Sequence, residues 1–211
     1  AISQSMAAMM LIANGLLMLL VIVRDVMAEM TLVSETDPLS GILNRRGFED
    51  QAERALDTSA RIGRPAALII ADLDQFKQIN DTFGHAVGDQ VIIAFARILR
   101  QCTGGEAVLA RLGGEEFVAL LPGLDLLSSK LQAETIRTAF SSLSGDATGL
   151  PYAATASFGV AQLLPGERLS DLLRRADAAL YQAKKDGRNR VQMAGVAPHN
   201  QRFAAVRREI G

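Results

Sequence analysis

The residues in this chain best suited to chemistry are carboxylates placed beside glycines and at the end of an apolar run. Ala66 to Ala71 (AALIIA) leads directly into Asp72, with Asp74 two positions on, and Gly113-Gly114-Glu115-Glu116 sits between two further apolar segments. An acid at the end of a buried strand lies at the carboxyl edge of a sheet, where α/β proteins usually hold ligands. Glycines in a tight turn supply positive φ and let a ligand approach the backbone closely. Hard cations such as Mg²⁺ take oxygen ligands, a few carboxylates together with substrate phosphates, so Asp72, Glu115 and Glu116 read as a phosphoryl-transfer metal site. Two such ions can activate an attacking oxygen and neutralise a leaving one. Paired glutamates in a turn are otherwise simply solvated, so the turn alone decides nothing.

The elements that must position these acids alternate. Arg46 to Ile62 reads as an amphipathic helix, and Ala66 to Ala71 as a strand covered on both faces. Val87 to Leu99 carries apolar residues at helical spacing, with Asp89 as its candidate cap. Val108 to Leu112 and Phe117 to Leu121 flank the glycines as a hairpin. Leu124 to Leu143 is a second long helix, Tyr152 to Gln162 an alternating strand, Leu169 to Lys185 a third helix and Arg190 to Met193 a short last strand. This is an α/β (α+β) layered architecture. Phe117 and Phe158 read as core.

Composition narrows the function classes. A formal net charge of -1 over 211 residues leaves no global basic footprint, so no nucleic-acid polymer is expected as partner. The single cysteine, Cys102, cannot form an internal disulfide and reads as a small, partly buried residue near a helix end. Met6 to Val23 holds no charged residue and approaches the roughly 20 apolar residues that span a bilayer. Residues 1–35 are therefore expected to form a transmembrane helix and stalk, with the remaining chain on the cytoplasmic side of the inner membrane. The alternative is a buried helix in an oligomer stalk, which would make the protein cytoplasmic. The absence of an initial Met suggests a piece of something longer. Thr36-Asp37-Pro38 breaks the helix, a domain occupies residues 36–194, and residues 195–211 form a tail without strong pattern.

Four segments carry a resemblance. Gly113-Gly114-Glu115-Glu116-Phe117 is the GGEEF form of the signature of GGDEF-domain diguanylate cyclases. Asp37 to Arg46 (DPLSGILNRR) looks like that family's DPLTGLxNRR entrance. Asp72 to Asp81 (DLDQFKQIND), with Gly84-His85 and Gly88-Asp89, is similar to its DxDxFKxxND, GH and GD block. Tyr181-Gln182-Ala183-Lys184 and Gly187-Arg188-Asn189 match its closing element. Together they cover nearly all of Asp37 to Val191, in the family's order.

The resemblance implies a palm-like, ferredoxin-related sheet flanked by helices, as in class III nucleotide cyclases. It also implies an activity: two GTP condensed into cyclic di-GMP across a homodimer. By that likeness Asp72, the Leu73 carbonyl, Glu115 and Glu116 would hold two Mg²⁺ per half-site, with Mn²⁺ as a substitute, and Glu115 would draw the ribose 3′ proton. Asn80 and Asp89 would read guanine. Phe76, Lys77, Gly113, Gly114, Lys184 and Arg188 would line the phosphates, the last two expected on one helical face. Left to the residues alone, Asn80 is a turn residue, Asp89 a helix cap and Lys184 a solvated helix end. His85 reads as structural. The family's RxxD product-inhibition motif is missing, because Gly104 and Ala107 stand there. A silent module that binds GTP or cyclic di-GMP to regulate a partner is the alternative, although such modules usually lose metal or turn residues that are all present here.

Overall fold

Strand β1, Ala66–Leu73, is buried at all eight positions, and its alternation assigns one apolar face to each of two helical layers. Ile69, Ala71 and Leu73 enter one cluster with α2 (Phe76–Phe83), α3 (His85–Cys102) and α4 (Leu126–Ser141). Leu68 and Ile70 enter the other with α1 (Arg45–Arg61) and α5 (Leu169–Lys185). In a strand successive side chains point to opposite faces, so a continuous apolar run fits only a strand covered on both sides.

The computed structural model describes residues 10, 13–21, 24, 35–143 and 148–195. The chain divides into two units, Ala1–Glu35 and Thr36–Gly211. In the first, residues 10, 13–21 and 24 are helical and Glu35 is not. Among the described residues no helix is long and apolar enough to cross a membrane. The expected span Met6 to Val23 therefore gains no support, and much of it, like the stalk at 25–34 and the tail beyond 195, lies outside the described residues.

In the second unit the sheet order is β2-β3-β1-β4-β5, where β2 is Val108–Gly113, β3 Glu116–Pro122, β4 Ala156–Gln162 and β5 Val191–Met193. β1 runs antiparallel to both neighbours, and β5 joins β4 in parallel at the edge. The first four strands have the split βαβ order of ferredoxin-like domains, as the sequence implies. Local signals agree: the Asn44 side chain accepts the Gly47 N–H at 3.0 Å to cap α1, and Asp125 accepts the Ser128 N–H at 2.8 Å to cap α4. Phe95 of α3 packs against Phe117 at 4.7 Å and Phe140 at 4.9 Å between ring centroids. Phe117 and Phe158 are fully buried, as expected.

Three expectations need correction. β4 begins at Ala156 rather than Tyr152, because Pro151 to Thr155 bends and the Tyr152 ring stands edge-on to Phe83 at 5.9 Å instead of entering the ladder. α3 begins at His85, so Asp89 lies one turn inside it and cannot be its cap. α2 has no counterpart in the sequence reading, since Phe76, Ile79 and Phe83 give too few repeats for eight residues to stand out. Cys102, the last residue of α3, is half-buried and unpaired.

α5 crosses β4 so closely that a side chain at Gly159 has no room: an added Cβ would lie 2.0 Å from the Ala176 carbonyl oxygen and 2.4 Å from the Leu180 nitrogen. Both are helix backbone and cannot rotate away. Gly159→Ala should therefore lower stability by about 3 kcal/mol in urea unfolding. A loss below about 1 kcal/mol would show that the helix yields.

Candidate active site

Asp72 is the seventh residue of β1 and is only 6% exposed. Burial pushes its carboxyl up from 3.8 to about 6; a hydrogen bond and the charge of Lys184 pull the other way, while Glu115 and Glu116 add to the rise. Lys184 reaches it from the end of α5, Nζ to Oδ2 at 2.8 Å. Glu116 opens β3 directly opposite Asp72. Glu115 is tied to the same strand end, its carbonyl accepting the Leu73 N–H at 3.2 Å. Backbone pairing thus brings Leu73, Glu115 and Glu116 to the strand end that carries Asp72.

The turn between β2 and β3 depends on its glycines. Gly113 and Gly114 take φ of 150° and 51°, and the ladder shifts register between Arg111 and Gly113. A Cβ at either glycine would meet nothing within 4 Å, so the space above the turn is open. Arg111 braces it: Nε and Nη2 donate to the Gly114 carbonyl at 2.9 and 2.7 Å, and Nη1 reaches Asp37 at 3.2 Å. Burial alone would raise the Asp37 carboxyl, but hydrogen bonds from Ser40 and Arg111 outweigh it and hold it below its ordinary value.

The guanine-reading candidates lie on consecutive helices. Asn80 is half-buried in α2 and Asp89 exposed in α3. An added Cβ at Gly88 would lie 2.0 Å from Asn80 Oδ1, so the Asn80 amide rests on the backbone next to Asp89. Phe76 is buried at the start of α2 and Lys77 is exposed. The expected common helical face of Lys184 and Arg188 does not exist: α5 ends at Lys185, and Arg188 follows in a left-handed conformation, φ 61°. Lys184 is also not a free phosphate ligand here, since Asp72 holds it. Gly104 and Ala107 line a cavity of about 460 Å³ with Arg100 and no carboxylate.

Sequence reasoning left Gly88 and Asp74 without roles. Asp74 accepts hydrogen bonds from Ser157 Oγ and Thr155 Oγ1, each at 2.7 Å, and from the Asn189 N–H at 3.0 Å. Its signals in the sequence were the DxD spacing and the resemblance of that block; Asp74 lies in the turn just beyond β1.

The donors around Asp72 are all oxygen, the chemistry of Mg²⁺ or Mn²⁺ rather than of a softer metal. Among the described residues no group of three or more His, Cys, Asp or Glu side chains forms a ready-made cage. Mg²⁺ commonly binds through one or two carboxylates plus substrate phosphates.

A palm-like sheet with an acidic glycine turn beside a buried aspartate defines a class of nucleotide-handling domains, and the comparisons place the chain within it. The family described as "Diguanylate cyclase, GGDEF domain" matches residues 34–190. The chain belongs to this family. It is 43% identical over 158 residues to diguanylate cyclase DgcM of Escherichia coli (strain K12), covering 75% of this chain and 38% of DgcM. It is 39% identical over 161 residues to diguanylate cyclase VdcA of Vibrio cholerae, covering 74% of this chain and 45% of VdcA. The chain thus spans less than half of each of these relatives. The GGDEF domain of DgcB from Caulobacter crescentus, solved in complex with c-di-GMP, superposes with a TM-score of 0.71 at 37% identity, over 76% of this chain and 93% of that one. The active GGEEF domain of a Vibrio cholerae diguanylate cyclase gives 0.66 at 32% identity, over 73% and 98%.

Two outcomes are expected. The rise of the Asp72 carboxyl from 3.8 to about 6 means the folded state prefers it protonated, a penalty of about 3 kcal/mol that is complete above about pH 6 and absent below pH 3.8. Asp72→Asn should therefore raise stability at pH 7 by on the order of 1–3 kcal/mol, with the gap to the unsubstituted protein closing towards pH 4 in thermal melts. A variant less stable at pH 7 would refute the penalty. Gly88→Ala puts a Cβ 2.0 Å from Asn80 Oδ1 and 3.2 Å from the buried Phe76 ring, and should weaken guanine-nucleotide binding about tenfold by calorimetry at a temperature where melts show the variant folded. Unchanged affinity would remove Asn80 from the binding site.

Proposed function

We propose that residues 36–194 act as a diguanylate cyclase, condensing two GTP into cyclic di-GMP with release of two pyrophosphates across a two-fold homodimer. The single observation that carries this reading is the buried Asp72 at the end of the central strand, opposite Glu116, with the Lys184 ammonium 2.8 Å away. The family membership of residues 34–190 supports it.

Each protomer holds one GTP, and the 3′-oxygen of each attacks the α-phosphorus of the other. In each attack an O–P bond forms, the bond to the β-phosphate breaks and pyrophosphate leaves. Glu115 accepts the 3′ proton, a role that requires hydrogen-bond reach of the hydroxyl. Asp72, the Leu73 carbonyl, Glu115 and Glu116 would hold Mg²⁺ or Mn²⁺, two per half-site, which when bound polarise the phosphoryl oxygens and favour the ionised hydroxyl. Asp89 accepts the N1–H and N2–H₂ donors of guanine, and Asn80 pairs beside it. Adenine lacks those donors and would leave polar groups unpaired, the kind of contact that discriminates strongly. Gly113 and Gly114 present open backbone, and Phe76 and Lys77 border the phosphates at the start of α2. Lys184 pairs with Asp72 in the free protein and, together with Arg188, would supply positive charge to the triphosphate. Because the reactants arrive on separate protomers, association governs the rate, and their orientation supplies much of the barrier reduction.

Incubation of the chain with Mg²⁺ and either GTP or ATP, followed by mass identification, tests the reading. Cyclic di-GMP from GTP and no product from ATP are expected. Glu115→Gln should lower turnover at least about 100-fold while GTP binding stays measurable. A dimer that binds GTP without product would instead be a silent module, and full activity in Glu115→Gln would remove that residue from proton transfer.

A further inference from the structure

Asp74 is 7% exposed, yet it lies beside the proposed metal site, two residues after Asp72. Its contacts join three stretches of chain. Its own N–H donates to the Thr155 carbonyl at 2.8 Å, and its carboxylate accepts the Thr155 and Ser157 hydroxyls where the chain enters β4. The third partner is the Asn189 backbone N–H at 3.0 Å, 115 residues away in sequence.

That last bond lands on an unusual turn. Gly187, Arg188 and Asn189 have consecutive φ values of 114°, 61° and 45°. Left-handed backbone suits glycine and is tolerated by asparagine, but an arginine adopts it only where its surroundings impose it. Here the Arg188 N–H donates to the Ala183 carbonyl at 3.0 Å, Arg190 Nε donates to the Arg188 carbonyl at 3.2 Å, and Arg137 Nη1 holds Asn189 Oδ1 at 3.0 Å. Among these restraints only Asp74 links the turn to the strand end that carries Asp72. A charge-assisted bond from a buried carboxylate to a main-chain N–H is among the stronger ones available to a loop.

We propose that Asp74 is a positioning residue for substrate phosphate: by fixing the Asn189 N–H it sets the left-handed turn and so directs the Arg188 guanidinium to the triphosphate. The proposal rests on the GTP-binding reading above. Asp74 touches no reacting atom in it, and its effect passes entirely through Arg188.

The test is a double-mutant cycle on the full chain, reading the GTP dissociation constant together with KM and kcat. Asp74→Ala and Arg188→Ala should each raise KM and the dissociation constant about tenfold with kcat changed less than about threefold, and the double variant should be no worse than Arg188→Ala alone. Asp74→Asn keeps the shape but replaces one carboxylate oxygen and the charge with an amide N–H₂ donor, so it should cost about threefold, again only when Arg188 is present. If Asp74→Ala does not fold, the cycle with Asp74→Asn carries the test. Multiplying effects in either cycle would overturn the proposal, as would a loss confined to kcat. Failure of the unsubstituted chain to bind GTP would instead remove the functional reading, and this inference with it.

Discussion

Everything at this site follows from placing one negative charge where the sheet excludes water. An isolated carboxylate in an apolar interior is expensive, and a protein answers either with a partner or with a proton. Asp72 uses both answers in part. Lys184 supplies a cation at 2.8 Å, yet burial dominates and the carboxyl remains raised to about 6. The adjacent Glu115 and Glu116 sharpen the imbalance rather than relieve it. Such a cluster is poor design for stability and sensible design for holding divalent charge, the usual exchange of stability for function at active sites.

The topology makes that concentration possible. Because β1 is central and antiparallel to both neighbours, its carboxyl end meets the start of β3 on one side and the start of β4 on the other. The first brings Glu116 opposite Asp72, and the second brings Ser157 opposite the same residue. α5, packed across β4 at Gly159, ends with Lys184 over the strand terminus. Rigid elements, rather than long loops, therefore deliver the acids and the cation, while the two glycines leave the approach open.

Much of this was legible in the residues. The apolar run AALIIA suited a strand covered on both faces, and the hairpin followed from two apolar segments around glycines. The grouping of Asp72, Glu115 and Glu116 was read from acids at a strand end and at a glycine turn, while the pairing of β1 with β3 behind it is stated by no local pattern. What stayed hidden depends on tertiary contacts. Asp89 looked like a cap because α3 has a weak start: Gly84 ends one helix and begins the next without a side-chain signal. Arg188 looked helical by its spacing from Lys184, whereas Asp186 terminates α5 and the chain turns left-handed. Asp74 bonds to the Asn189 backbone 115 residues away, and Gly88 touches Asn80 on the preceding helix, so neither contact could be read from the residue's own surroundings.

The bond between Asp74 and the backbone 115 residues later also ties together parts of the chain made at different times. During synthesis the acidic members of the cluster leave the ribosome long before Lys184 and Arg188, and contacts of such long range form late in folding. A nascent chain thus carries its negative charges without their counterweights. A polypeptide interrupted before α5 would hold Asp72, Glu115 and Glu116 without the Lys184 ammonium that pairs with Asp72.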